Sequence, residues 1–343
     1  MDAKPTKKEQ VAQNLRALYS SYGYCRYRMS NFEEYSFYLK NKNFLTSDKI
    51  VTFNDLDGRL MALKPDVTLS IVKTAKPGDK LYYIENVYRP MGISYREIEQ
   101  MGVETVGKIN VHVEAELLLL AAKSLREVDE NCVLDISHVG LVNALADKAG
   151  ADKKDLLALL SKKNYHEAAE RYPENEAVLK ALFFTDLSAA KTYLTDKERE
   201  YVDELLYLID FLNKAGQKAE ADFSLVDDER YYNGIIFRGY VKKVPRPILS
   251  GGRYDRLLKK MHKDFGGMGF ALYLNEISLY DERPKFDCDC LVLYTETETS
   301  YHAACDYADA LRAQGKTVRL SPEFCPDLRT EKTVLFDRGG KIC

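Results

Sequence analysis

The stretch richest in chemistry is Tyr95-Arg96-Glu97-Ile98-Glu99-Gln100-Met101-Gly102-Val103-Glu104. As a strand, its period of two puts Arg96, Gln100 and Glu104 on one face, with Ile98 and Gly102 between them. A row of polar groups opened by a glycine lines a polar pocket when that face is covered, and is a solvated edge strand when it is not. Asp66, after Lys64-Pro65 and two residues before Thr68, reads on its own as turn and helix-cap chemistry. Tyr231-Tyr232-Asn233-Gly234 precedes the apolar Ile235-Ile236-Phe237 and reads as amphipathic tyrosines on a half-buried strand. In Gly251-Gly252-Arg253-Tyr254-Asp255 the glycines read as a tight turn.

The elements that would position these residues follow from periodicity and punctuation. Thr6 and Glu9 have the spacing of a capping box, opening a helix through Leu15 and Leu18. Residues 50–53 and 59–63 read as a hairpin about Asn54-Asp55-Leu56-Asp57-Gly58. Pro65-Asp66 ends the second strand, and a short helix is expected over 68–74. Residues 81–89 and 95–106 read as antiparallel partners, followed by a long buried helix over 111–128 and a strand over 132–136. From 139 to 217 Leu, Ala, Lys and Glu dominate, with helical spacing in Leu156-Leu159-Leu160 and in Leu205-Leu206-Leu208-Ile209-Leu212. Strand character returns at 221–225 and 231–241, and the glycine turn leads into a helix over 254–261. A tail beyond Pro284 has strands near 290–294, 317–320 and 334–336 about a helix over 301–313. The fold class expected is α+β, with 1–138 and 218–283 as one domain, 139–217 as a helical insertion and 284–343 as a small α/β unit.

Composition narrows the function. The chain has 343 residues, with 50 Lys and Arg against 53 Asp and Glu, for a net charge of −3. A strongly basic nucleic-acid binder would carry a surplus of cations. Hydrophobic content of 45% and charged content of 30% are those of a globular protein. The longest apolar run, 117–122, is far short of a membrane helix, and no apolar stretch follows the Lys-rich start, so a cytoplasmic location is expected. Seven scattered cysteines read as reduced thiols, and the lone Cys288-Asp289-Cys290 is a weak metal signal. His166-Glu167 is followed by Glu170 rather than a second histidine, and no Walker A, G-x-S-x-G or G-x-G-x-x-G sequence is present.

In chain order these blocks resemble histidyl-tRNA synthetase, a class II synthetase. The matching segments are Leu63-Lys64-Pro65-Asp66-Val67-Thr68, residues 81–89, Tyr95-Arg96-Glu97 with Gln100-Met101-Gly102-Val103-Glu104, Tyr231-Tyr232-Asn233-Gly234, and Gly251-Gly252-Arg253-Tyr254-Asp255 with Gly269-Phe270-Ala271. The resemblance spans residues 1–283 and implies an antiparallel sheet flanked by helices, a dimer, and a pocket for free histidine. By position, Asp66 stands where the family has a glutamate that holds the ligand's α-amino group, with Thr68 and Gln100 beside it. Glu104 matches the carboxylate that meets one imidazole nitrogen, Tyr232 the phenol that meets the other, and Tyr254 a further pocket tyrosine. Hydrogen bonds of this charged kind contribute ~1.5–3 kcal/mol each.

The departures from the family carry equal information. Arg89 keeps the motif 2 arginine that touches the α-phosphate, but Met91 replaces the glutamate two residues on, and the loop to Tyr95 is short. The arginine expected four residues before the paired tyrosines falls at Asp227. The motif 3 arginine, expected in a Gly-Leu-Glu-Arg stretch, falls within Tyr273-Leu274-Asn275-Glu276, so Glu276 replaces it. Losing one preorganised donor to a developing anion costs roughly 10²–10³ in rate, and two independent losses on the order of 10⁴–10⁶. A carboxylate in place of a guanidinium also repels a triphosphate. Asp227, Glu276 and Arg89 thus read as vestigial ATP-site positions.

A histidine pocket beside a dismantled ATP site resembles the regulatory subunits of ATP phosphoribosyltransferase. That resemblance implies a non-catalytic homodimer within a hetero-octamer, built with a short-form catalytic subunit for the first step of L-histidine biosynthesis. It implies L-histidine as effector, bound by Asp66, Thr68, Gln100, Glu104, Tyr232 and Tyr254, with no cofactor, no metal, no tRNA and no membrane partner. Feedback then requires histidine to bind one state of the assembly better than another. Two other readings stay open from sequence: a paralogous enzyme that activates an amino acid with ATP, and a non-catalytic tRNA-binding module.

Overall fold

In the computed structural model, which describes residues 5–45, 47, 49–226, 231–280 and 286–343, the chain opens with α1 (Lys7–Ser21). The Thr6 backbone N–H donates to Glu9 Oε2 at 2.8 Å and the Glu9 N–H to Thr6 Oγ1 at 3.2 Å, the reciprocal capping box. β1 (Cys25–Arg26), β2 (Phe32–Glu34) and α2 (Tyr35–Lys40) follow, then the hairpin of β3 (Thr52–Asn54) and β4 (Leu60–Leu63). β2, β4 and β3 make a small antiparallel sheet. The expected helix is α3 (Thr68–Thr74), and the expected strand pair is β5 (Lys80–Met91) with β6 (Ser94–Gly107).

α4 (Val111–Val128) starts at Asn110, whose side chain accepts from the His112 and Val113 N–H groups. After β7 (Cys132–His138) the helical region is a run of short helices: α5 (Val139–Lys148), α6 (Lys153–Ser161), α7 (Tyr165–Arg171), α8 (Glu176–Phe183), α9 (Leu187–Tyr193) and the longer α10 (Asp196–Lys214). β8 (Ala219–Ala221), β9 (Ile235–Val241), β10 (Leu249–Arg253), α11 (Asp255–Lys260), β11 (Gly266–Tyr273) and α12 (Leu274–Ile277) complete the large unit.

The large sheet has the order β1-β5-β6-β11-β10-β9-β7-β8. Its six central strands pair antiparallel, while β1 and β8 join the edges in parallel. One face is closed by α1 and α4. Tyr19 of α1 packs on Tyr82 and Phe270 and shares a hydrogen bond with Ser124 of α4 at 2.8 Å. Gly239 of β9 lets Leu125 approach, since a Cβ there would stand 2.5 Å from its methyl carbon. The opposite face carries the site.

Three expectations change. Gly251 and Gly252 lie inside β10 rather than in a turn, and β11, which no periodicity marks, is its partner. A Cβ on Gly251 would come within 2.4 Å of the Gly269 carbonyl oxygen, so the glycines answer a close approach of backbones. Residues 222–226 turn away from the sheet, because the Asp222 side chain accepts from the Ser224 N–H at 2.8 Å and closes an Asx turn. β9 begins at Ile235, leaving Tyr231 and Tyr232 ahead of it.

Val11–Leu279 forms one compact unit, and Tyr280–Cys343 with Met1–Gln10 the other. The second contains β12 (Cys288–Tyr294), α13 (Glu298–Ala313), β13 (Val318–Ser321) and β14 (Thr330–Phe336), with β12 central in a parallel sheet. All seven cysteines are free, and burial pushes the Cys288 and Cys290 thiols up. No helix among the described residues is long and apolar enough to cross a membrane.

Candidate functional site

Cross-strand register assembles the site. On the open face of the sheet, Tyr83 of β5 stands opposite Gly102 of β6, then Ala271 of β11, Ser250 of β10 and Arg238 of β9 in one row. The next row places Glu104 beside Gly269, and the row on the other side places Gln100 beside Tyr273. Large side chains at the two ends and small ones between them leave a trough. A cavity of about 540 Å³ lies over it, lined also by Asp66, Thr68, Arg89, Tyr231, Tyr232 and Tyr254. Gly269 is required here, because a Cβ on it would meet Glu104 Oε2 at 1.7 Å.

Glu104 is the electrostatic centre. It is 2% exposed, accepts from Thr68 Oγ1 at 2.7 Å, and takes a short hydrogen bond from the Tyr254 phenol. Burial pushes its carboxyl up to about 8, the two hydroxyl donors pull it back, and the charge of Asp66 adds to the rise. Burial likewise raises Asp66, opposed by the Arg89 guanidinium. Asp66 does two jobs: Oδ1 accepts from the Leu69 N–H in the first turn of α3 at 2.8 Å, while Oδ2 lies 3.4 Å from Arg89 Nη2. Arg89 is fixed further by donating through Nε to the Pro65 carbonyl at 2.7 Å. Behind this loop, Lys64 is fully buried and paired with Glu85.

Aromatic rings close the rest. Tyr231 packs edge-on against Tyr232, with centroids 4.6 Å apart, and against Tyr254 and Phe44. Tyr232 lies on Gly252, where a Cβ would stand 2.7 Å from its ring. Burial holds the phenols of Tyr83, Tyr231 and Tyr254 well above their ordinary range, so all three stay neutral hydrogen-bonding groups. Such an arrangement suits a small ligand that carries a cationic group for Asp66 and a nitrogen-bearing ring for Glu104.

The histidyl-tRNA synthetase family matches residues 2–277. The ATP phosphoribosyltransferase regulatory subunit of Clostridium kluyveri is 30% identical, with the match covering 92% of this chain and 89% of the relative. The chain belongs to the histidyl-tRNA synthetase-like family of ATP phosphoribosyltransferase regulatory subunits. Among solved structures, one described as an ATP phosphoribosyltransferase regulatory subunit/histidyl-tRNA synthetase from Bacillus halodurans superposes with a TM-score of 0.78 at 24% identity, over 96% of this chain and 94% of that one. An ATP phosphoribosyl transferase complex from Thermotoga maritima shares the fold with a TM-score of 0.63 at 19% identity, over 78% and 97% of the two chains.

All six positions matched to the family's histidine pocket, Asp66, Thr68, Gln100, Glu104, Tyr232 and Tyr254, line this one cavity, and Arg89 lines it with them. Glu276 does not. It sits on α12 and receives Arg246 Nη2 at 2.6 Å. Asp227 lies outside the described residues. Arg96 is exposed, although it shares the parity of Gln100 and Glu104: β11 ends opposite Gln100, so the outer half of the β5–β6 hairpin has no third strand to build a wall. Sequence reasoning passed over Tyr83, Ser250, Tyr273 and Arg238. For Arg238 a signal was present, a lone charge at an alternating position in an apolar strand.

Proposed function

We propose that this chain is the non-catalytic, histidine-sensing subunit of a cytoplasmic ATP phosphoribosyltransferase. It joins a short-form catalytic subunit, as a homodimer within a hetero-octamer, and chemistry takes place wholly on that partner. Asp66, with Thr68 and Gln100, receives the α-ammonium of L-histidine, and Glu104, Tyr232 and Tyr254 read its imidazole. The scaffold for this pocket is 1–138 with 218–283, interrupted by a helical insertion at 139–217 and followed by a reduced α/β unit at 284–343. The observation that carries the reading is the gathering of all six ligand positions around one cavity, while Glu276 stands outside it in an ion pair with Arg246.

The regulatory logic is a difference in affinity. Histidine inhibits the assembly to the extent that it binds an inactive arrangement more tightly than an active one. Co-expression of this chain with the short catalytic subunit tests the proposal. The two are expected to co-purify, phosphoribosyl transfer to ATP is expected to rise when both are present, and L-histidine is expected to suppress it. A catalytic subunit indifferent to this chain, or ATP–pyrophosphate exchange by this chain alone, contradicts the proposal.

A further inference from the structure

We propose that Arg89 is a positioning residue for the pocket's ammonium acceptor: its guanidinium ties the Pro65 carbonyl to the Asp66 carboxylate and keeps Asp66 in place and charged, without itself touching the ligand. The assignment rests on the histidine reading above. Asp66 follows Pro65, which has no N–H to tie the turn into a strand ladder. The turn is held instead by two consecutive residues of β5. The Tyr88 N–H donates to the Lys64 carbonyl at 3.0 Å, and Arg89 Nε donates to the Pro65 carbonyl at 2.7 Å. The other arm of the guanidinium, Nη2, lies 3.4 Å from Asp66 Oδ2. Only 18% of the Arg89 side chain and 15% of the Asp66 side chain are exposed, so the pair escapes most of the screening that weakens surface pairs.

Charge matters here as much as place. Within electrostatic reach of Asp66 are Arg89 and Tyr83 of β5, Glu104 of β6, Tyr38 of α2, and Tyr231 ahead of β9. Burial favours a proton on Asp66, and the Arg89 guanidinium, which is always charged, opposes it. A protonated Asp66 would offer a ligand's ammonium a neutral carboxyl and lose the charge-assisted part of the bond. A carboxylate has about four lone-pair sites. The Leu69 N–H takes one at 2.8 Å and Arg89 another, which leaves acceptor capacity for the ammonium. Arg89 thus acts on the ligand through Asp66, as a clamp on the turn and as the counter-charge that keeps its carboxyl ionised.

Calorimetric titration of the full chain across pH 5.5–8 tests the assignment, with L-histidine and with histamine, which keeps the ammonium and lacks the carboxylate. Arg89→Met is expected to weaken both ligands by a similar factor, about 10-fold at pH 7. Its acid limb is expected to steepen from about tenfold towards about a hundredfold per pH unit, since Asp66 must then release a proton on binding as well as the ligand's ring. Arg89→Lys keeps a charge beside Asp66 but has no planar fork to reach Pro65 as well. It is expected to keep the parent's slope and recover part of the affinity. Histidine weakened with histamine unaffected makes Arg89 a contact of the ligand's carboxylate and overturns the assignment. A parallel loss with the parent's slope in Arg89→Met, a steepened slope in Arg89→Lys, or unchanged affinity in both variants overturns it too. In each of these cases the histidine pocket stands. Absence of histidine binding by the unaltered chain overturns the pocket reading and the assignment together.

Discussion

Glu104 sets the pH behaviour of the pocket. Thr68, Tyr254 and Asp66 are the groups acting on it, and burial keeps its proton on to about pH 8 when no ligand is bound. A free imidazole loses its proton near 6.5. With histidine bound as proposed, between these values the pocket supplies the proton and the ring supplies the lone pair, so binding exchanges none with solvent. Above about 8 a proton must be taken up on binding, and below about 6.5 one must be released. Histidine affinity is therefore expected to be flat between these limits and to fall by up to tenfold per pH unit on either side. Glu104→Gln is expected to lose about 10–100-fold in affinity at pH 7.5, together with the part of the alkaline limb centred near 8, leaving only the fall that comes from the ligand's own ammonium losing its proton. Calorimetry across pH 5.5–9.5 checks both, and an alkaline limb unchanged in the variant would count against Glu104 as the ring's partner.

At the scale of elements, a partly buried charge network holds β10 and the head of α11 from behind. Arg253, next to Tyr254, donates through Nη1 to Glu114 of α4 at 3.0 Å and through Nε to Asp255 at 2.8 Å. Glu204 of α10 lies against Glu114, and burial with that like charge pushes it up to about 8. A carboxyl raised in the folded state contributes stability that is complete below its unfolded value near 4.5 and is lost as pH rises through about 8. Glu204→Gln removes that loss, so its melting temperature is expected to match the parent at pH 5 and exceed it by a few degrees at pH 9. Identical pH dependence in the two proteins would mean that α10 does not share a proton with α4. Much of this layer was legible in the sequence: α3, α4 and the β5–β6 pair follow from caps and periods that tertiary packing reinforces. β10 and β11 were not, because their glycines have turn chemistry and enter strands only where backbones or the Glu104 carboxylate crowd them. The pocket parity of Gln100 and Glu104 was legible too, whereas the exposure of Arg96 depends on where β11 stops, a fact of topology rather than of local pattern.

For the whole molecule, the sequence's departures from the family and the geometry of its matches point the same way. The six positions proposed for the ligand line one cavity, and Glu276 is drawn off to Arg246. Arg238 entered the site only through register across β9, β10 and β11, which a single strand's sequence does not encode. The proposal for the whole molecule is that an amino-acid pocket persists on this synthetase-like fold without the capacity to handle ATP. Its most direct test is calorimetric titration of the purified chain with L-histidine, with ATP and magnesium in a parallel run. Saturable heat from histidine at about one site per chain and none from ATP is the predicted result. Clear ATP binding, or no response to histidine, would contradict it.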